Sequence, residues 1–438
     1  MKHTTLFIAA TTILLTGAVA SSDAEDLNAD EQRMIEWIDA NAEGAIDLLE
    51  ETVNISSGTM NHAGVREVGM VMGRELEALG FDTEWIEMPA DMRRAGHMFG
   101  RRESGTGPNV LMIGHLDTVF EADDGFQSYR RDGDMAYGPG VDDMKSGNAV
   151  IVYALKALAE VGVLDEISVV VAYTGDEEFS GSPLSKSKFD LIEAGKWADY
   201  SLGFEGGISY DGQEWATIAR RSSSNWSLEV SGTQAHSSKI FSESVGHGAI
   251  FEAARILHEF DEKVRGEEYL TFNAGNIQGG TDVTYDYEKN RGTTFGKTNV
   301  VPRKVIVDGG IRAISQEQLE RARDAMRKIV ANHLPGTDAV IKFEDRYPAM
   351  APTEGNRQLR SILSEINEDL GRGPMPILDP ARRGAADVSF AAPYSDSLAG
   401  LGPVGHGGHT PDESLELESI PVAIKRAAIL IYRLANKD

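Results

Sequence analysis

Apolar and polar positions along the chain repeat with two distinct periods. Residues 25–54 carry Met34, Ile35, Trp37, Ile38, Ala45, Ile46 and Leu49 at helical spacing, which predicts an amphipathic helix. Continuous apolar runs at 109–114 and 167–173, and a shorter one at 200–204, read as buried strands, with a helix at 146–161. Alternation of this kind predicts an α/β fold: a central twisted, mostly parallel sheet with helices on both faces. In such sheets ligands collect outside the carboxyl ends of the strands. His115, Glu177, Glu178 and Glu205 all stand at such ends.

The texture changes near residues 221–225. Strands at 226–230, 269–277, 304–312 and 339–343, with amphipathic helices at 245–264 and 316–333, follow in the order β-α-β-β-α-β. That is the ferredoxin-like arrangement. An inserted domain over 222–346 is therefore expected, dividing a first domain into residues 21–221 and 347–438. The stretch 279–296 is rich in Gly, Thr and Asp and lacks periodicity, so it is expected to be a long loop between two inserted-domain strands.

Bulk composition narrows the function. At 438 residues, 41% hydrophobic, the chain can form two or three packed units. A formal charge of −27, from 69 acidic and 42 basic residues, argues against a nucleic-acid partner and reads first as solubility. Lys2, the apolar run 6–15 and Ala18-Val19-Ala20 have the form of a secretory signal peptide cleaved after Ala20, so a secreted or periplasmic location is expected. No later segment reaches ~18 consecutive apolar residues, and no stable membrane insertion is expected. Export permits disulfides, yet the chain has no cysteine, so any metal site must use His, Asp and Glu.

Such residues cluster. His115 is followed by Asp117, a carboxylate placed to hold the second ring nitrogen of a ligating imidazole. Asp142-Asp143 lies in a glycine-bounded loop and could bridge two cations, although adjacent acids are usually a solvated turn. Glu177-Glu178 directly follows an apolar strand, where two acids are awkward unless something cationic awaits them. One could ligate while the other serves as general base. Glu205, and His406 or His409 before Pro411-Asp412-Glu413, add further donors. Nitrogen and oxygen donors of this kind suit zinc, manganese or cobalt.

In this order the motifs resemble the acetylornithine deacetylase / succinyl-diaminopimelate desuccinylase / glutamate carboxypeptidase family of co-catalytic metallohydrolases. The lead-in Tyr137-Gly138-Pro139-Gly140 and the following Gly147-Asn148-Ala149-Val150 look closest to the glutamate carboxypeptidase branch. The resemblance spans essentially the whole mature chain. It implies two divalent metal ions per subunit, zinc foremost, with Co2+ or Mn2+ accepted by the same donors. Asp143 would bridge them, His115 and Glu205 would complete one site, and Glu178 and His409 the other. Glu177 would be the general base and Asp117 would orient His115, leaving Asp142 and His406 as neighbours. The inserted domain would form a homodimer, through which His236 reaches the partner's active site to steady the oxyanion. Asn299 and Arg312 match contacts to a substrate carboxylate.

The activity so implied is hydrolysis of an amide or peptide bond beside a free carboxylate. It would release a C-terminal amino acid such as glutamate, with deacylation of N-acyl amino acids or dipeptide cleavage as the alternative. A non-catalytic binding protein of the same fold would be expected to have lost the base or a ligand, whereas every expected residue is present. Three departures bear on substrate, one of them the loop 279–296, which is longer than usual for the family and would reshape the substrate mouth. Tyr347 stands where the carboxypeptidase branch tends to carry arginine, and the family's Gly-Thr-Asp motif appears as Gly384-Ala385-Ala386-Asp387.

Overall fold

Unbroken burial along Ser168–Thr174, and along all but the first residue of Asn109–His115, places these strands at the centre of a six-stranded sheet. The computed structural model describes residues 27–104, 106–287 and 289–437. The expected signal peptide, 1–20, lies outside them. The sheet runs in the order Asp82–Ile86, His97–Arg102, Ser168–Thr174, Asn109–His115, Tyr200–Gly203 and Asp396–Leu398. The last four are mutually parallel, and the first two join antiparallel at the edge.

Successive side chains in these strands feed two different cores, which is why the strands read as continuous apolar runs. Val110, Met112, Val169 and Val171 pack beneath the helices Ala29–Val53, Lys145–Glu160 and Ser419–Ala435. Leu111, Ile113, Val170 and Ala172 pack on the other face with Leu191, Ala194, Val388 and Ala391. The first helix starts four residues later than its apolar period suggests. Asn28 caps it, accepting the amides of Asp30 and Glu31 at 3.0 Å, and Glu31 returns a bond to the Asn28 amide.

A second, antiparallel sheet has the order Thr271–Gly280, Lys304–Arg312, Ser223–Gly232 and Thr337–Tyr347. Helices Gly248–Lys263 and Gln316–Val330 cover one face, burying Trp226, Leu228, Val230, Ile256, Phe260 and Met326 in a separate core. The order of strands is that of a ferredoxin-like unit.

The expected long loop at 279–296 is instead a two-stranded hairpin, Asp282–Asp286 paired with Arg291–Phe295. Asp282–Asp286 alternates, with Val283 and Tyr285 half-buried, but its partner Arg291–Phe295 is exposed throughout and carries no such period. Cross-strand contacts hold it: Thr284 to Thr293 at 2.7 Å and Thr294 to the Gly279 carbonyl at 2.7 Å. Among the described residues no helix is long and apolar enough to cross a membrane.

Candidate active site

Three parallel strands end side by side and deliver His115, Glu177-Glu178 and Glu205 to one edge of the sheet. Asp143 arrives from the turn that opens helix Lys145–Glu160, and His409 from a loop far along the chain. The two histidines divide the Asp143 carboxylate between them. His115 Nε2 lies 3.0 Å from Oδ1 and His409 Nε2 3.1 Å from Oδ2. His409 is also 3.2 Å from Glu178. Donor atoms of His115, Glu177 and Glu178 lie within 4.8 Å of one another, as do those of Asp143, Glu178 and His409. His409 itself sits at φ 64°, a left-handed conformation that a side-chain-bearing residue takes at a cost and that concentrates at functional sites.

A buried scaffold sets these positions. Both Asp117 oxygens accept backbone amides, Oδ1 from Glu177 and Oδ2 from Glu178, each at 3.1 Å, and Thr59 donates to Oδ2 at 2.6 Å. Asp117 Oδ1 is 3.5 Å from His115 Nδ1, whose nearer partner at 3.0 Å is the Asp117 carbonyl. Asp117 therefore grips the Glu177-Glu178 turn more tightly than it grips the imidazole. Asn148 donates to the His115 carbonyl at 2.6 Å. Glu413 accepts the amides of Asp142 and Asp143 at 2.9 and 3.0 Å and so shapes the loop that presents Asp143. Tyr347 donates to the Glu177 carbonyl at 2.8 Å. Behind the turn, fully buried Lys188 lies 2.8 Å from Asp176 and 2.9 Å from Asp387.

Concentrated acid in a dry pocket perturbs titration. Burial pushes Glu177 well above the ordinary glutamate value, and nearby Glu205, Asp387 and Glu178 add to it while His115 opposes. Burial, then Asp143, raises Asp142 to about 7. Burial works against charging His115, but hydrogen bonds to Asp117 and Asp143 override it and hold its pKa well up. Hydrogen bonds to Asp143 and Glu178 raise His409 to about 11.

Glu205 points to a different partner. Its Oε2 accepts Arg220 at 2.5 Å and lies 3.5 Å from Arg383. These three residues, with Asp142, Asp143, Glu177 and His409, line a cleft of about 250 Å³. A roomier cleft of about 790 Å³ opens at the opposite, amino ends of the strands beside Asp199 and Asp396, away from this acid–histidine set. His406 is paired with Glu416 at 2.8 Å and takes no part in it. Asp142 is no solvated turn residue: its carboxylate is enclosed beside Gly206, Gly405 and Gly408.

Three expected residues are elsewhere, and no described hydrogen bond or ion pair joins them to the cluster. Exposed His236 and Asn299 lie on adjoining segments, the Ser237 amide donating to the Asn299 carbonyl at 2.9 Å. Arg312 is at the far end of the strand that follows Asn299, roughly 27 Å along it. Sequence reading missed Arg220, Arg383, Lys188 and Glu413, because no local motif says which partner such a charge will meet. The basic pairs Arg220-Arg221 and Arg382-Arg383 were the available signals.

The donors fit divalent metal: two imidazoles and a set of carboxylates around one shared aspartate, with Glu178 Oε1 buried and without a hydrogen-bond partner. Comparison with known proteins agrees. The family Peptidase family M20/M25/M40 matches residues 111–433. The chain belongs to the M20 peptidase family. Carboxypeptidase G2 of Pseudomonas sp. (strain RS-16) is 28% identical over 402 residues, covering 89% of each chain. A succinyl-diaminopimelate desuccinylase of Gluconacetobacter diazotrophicus is 26% identical over 394 residues, covering 89% of this chain and 95% of its own. Among solved structures, the Bacillus cereus aminopeptidase PepT aligns with TM-score 0.69 and 18% identity, over 90% of this chain and 99% of its own. The Bacillus subtilis YXEP protein, a dinuclear metal binding peptidase from the M20 family, aligns with TM-score 0.61 and 16% identity, over 91% and 100%. This M20 chain is thus a metal-binding hydrolase of metallopeptidase type, with the family's α/β fold.

Proposed function

We propose that this M20 peptidase cleaves an amide or peptide bond next to a free carboxylate and releases a C-terminal amino acid, glutamate or one like it. The observation that carries this reading is the division of Asp143 between His115 and His409 at 3.0 and 3.1 Å, with Glu177 beside it. In this reading His115 and Glu205 would hold one divalent ion and Glu178 and His409 another, zinc foremost, with Asp143 common to both sets of donors. Such ions, when bound, acidify water and polarise a carbonyl. Glu177, with its raised pKa, takes a proton from the attacking water and returns it to the leaving amine nitrogen. Asp117 keeps Glu177 and Glu178 in place through their amides. A recess of about 560 Å³ beside His409, lined by Val119, Phe120, Phe126 and Pro411 together with Asp124, suits the acyl side of the substrate.

The reading extends to a homodimer through residues 222–346, between catalytic segments 21–221 and 347–438. Its support is an edge strand, Thr271–Gly280, with Ile277 exposed, and exposed Phe241, Ile250 and Phe251 in the same unit. His236 fits a role toward the partner's site. Its Nδ1 meets the Ser238 hydroxyl at 2.8 Å and the Ser238 amide at 3.3 Å, which leaves Nε2 without a partner among the described residues and available to donate to an oxyanion. Asn299 lies beside it and is assigned, with Arg312, to substrate contact. Export rests on Lys2, the apolar run 6–15 and Ala18-Val19-Ala20. A deacylase activity is the second reading, favoured by the desuccinylase likeness across 89% of the chain.

A mass-spectrometric screen of N-acyl amino acids, folate-like conjugates and dipeptides with the zinc-loaded protein separates these substrate classes. Bound metal without turnover on any of them refutes the hydrolytic reading. The Glu177→Ala variant is expected to keep its metal and lose about 10²–10⁴ in rate; near-normal turnover would remove Glu177 from its role.

A further inference from the structure

Glu205 is claimed twice. In the proposed function it is a metal ligand, yet one of its oxygens is the shared partner of two guanidinium groups, Arg220 at 2.5 Å and Arg383 at 3.5 Å. Both arginines are nearly out of solvent, their side chains 3% and 13% exposed, and the Nε of each is buried without a hydrogen-bond partner. Arg220 is tied down further by the carbonyls of Gly384 and Ala385, both at 3.3 Å. Arg383 has no such tether. Its one ion pair among the described residues is the long contact to Glu205. A single carboxylate cannot saturate two desolvated cations and a metal together. A guanidinium stripped of water needs an anion, and its planar fork matches a carboxylate at two points.

The cleft both arginines line is also lined by Glu177, Asp143 and His409, so an anion gripped there shares the cleft in which the bond is cut. The geometry points to Arg383, with Arg220 fixed beside it, as the specificity-determining residue that binds the free carboxylate of the departing amino acid. This rests on the hydrolytic reading above and sharpens it. The substrate class is a peptide or N-acyl amino acid whose own terminal carboxylate adjoins the scissile bond, and neutral carboxamides are rejected. Arg312, on the inserted unit and without a described contact to the cleft, is not the residue this assigns. Asp142 lines the same cleft and is the alternative anion. Were that pairing the purpose, Arg383 would serve only to stabilise the loops.

The test uses the full chain loaded with zinc, the best compound from the screen above, and the matching C-terminal carboxamide. The wild type should prefer the acid by about 100-fold or more in kcat/KM. Arg383→Gln should lower kcat/KM for the acid about 10- to 100-fold more than for the carboxamide, with the difference carried by KM. Metal content, read by plasma mass spectrometry, should stay the same. Arg383→Lys should recover part of the lost KM, since a point charge replaces the fork, and it carries the comparison if the glutamine variant does not fold. Equal losses on acid and carboxamide, or a fall in bound metal, would overturn the assignment and make Arg383 a support for Glu205. A wild type that binds metal and cleaves no compound of the screen fails one step earlier, at the hydrolytic reading.

Discussion

Lys188→Met puts the buried scaffold under test. Lys188 is completely buried between Asp176 at 2.8 Å and Asp387 at 2.9 Å, and Asp176 directly precedes the Glu177-Glu178 turn. Methionine fills a similar volume but removes the one cation of the group. Asp176 keeps the Gly181 amide at 2.7 Å and the Ser187 hydroxyl at 2.5 Å, and Asp387 keeps Thr174, so neither acid is wholly abandoned. Breaking a buried ion pair from one side costs about 3–5 kcal/mol. The sign of the pH dependence follows. In the wild type burial would raise the Asp176 pKa, but Lys188 overrides it and holds that pKa below the ordinary 3.8. That stability is complete above the unfolded value and is lost only as pH falls through the lower folded value. In the variant the Ser187 hydroxyl and Gly181 amide still oppose burial, but the largest opposing charge is gone and the folded-state pKa rises, so folding is penalised increasingly as pH climbs above about 4. The loss should be greatest near pH 7.5 and shrink toward pH 4. Urea unfolding of metal-free wild type and variant at pH 7.5 and 4.5 measures it. A loss below about 1 kcal/mol, or one equal at both pH values, would refute the idea that this network is held by charge.

Other expectations are more local. His409 must shed its proton to ligate, and its pKa, raised to about 11 chiefly by the hydrogen bond to Asp143, keeps it charged in the metal-free protein. Metal affinity should therefore rise at least about tenfold per pH unit between about pH 6 and 8, read by chelator competition, and a flat profile would contradict the assignment of His409 as a ligand. Gly147→Ala places a methyl 1.9 Å from the Phe204 carbonyl, one residue before Glu205. It should cost about 1–3 kcal/mol in thermal or urea unfolding and weaken metal binding in the same preparation. Tyr347→Phe removes the donor to the Glu177 carbonyl and should cost about 0.5–1.5 kcal/mol, with kcat reduced and KM little changed.

The chain's one-dimensional pattern was sufficient for the frame. The runs at 109–114 and 167–173 are apolar because each strand is covered on both faces, and that double burial is legible without coordinates. His115, the Glu177-Glu178 pair and Glu205 could be placed at strand ends for the same reason. The hairpin Asp282–Phe295 was not read, since Arg291–Phe295 is exposed on both faces and leaves no hydrophobic period, and the alternation opposite it rests on Val283 and Tyr285 alone. Its threonines and tyrosines around a turn at Asn290, φ 48°, were a propensity signal only.

Burial and periodicity are properties of neighbours in sequence, so sequence alone determined the α/β frame, the inserted unit and which acids and histidines were candidates. Pairing across hundreds of residues is a property of the closed fold. That His409 meets Asp143, that Glu413 shapes the Asp143 loop, that Lys188 bridges Asp176 to Asp387, and that two arginines converge on Glu205 were decided only by tertiary structure. The physical reason is that a lone charge acquires its meaning from the partner that replaces its water, and nothing local in the chain says which partner that is.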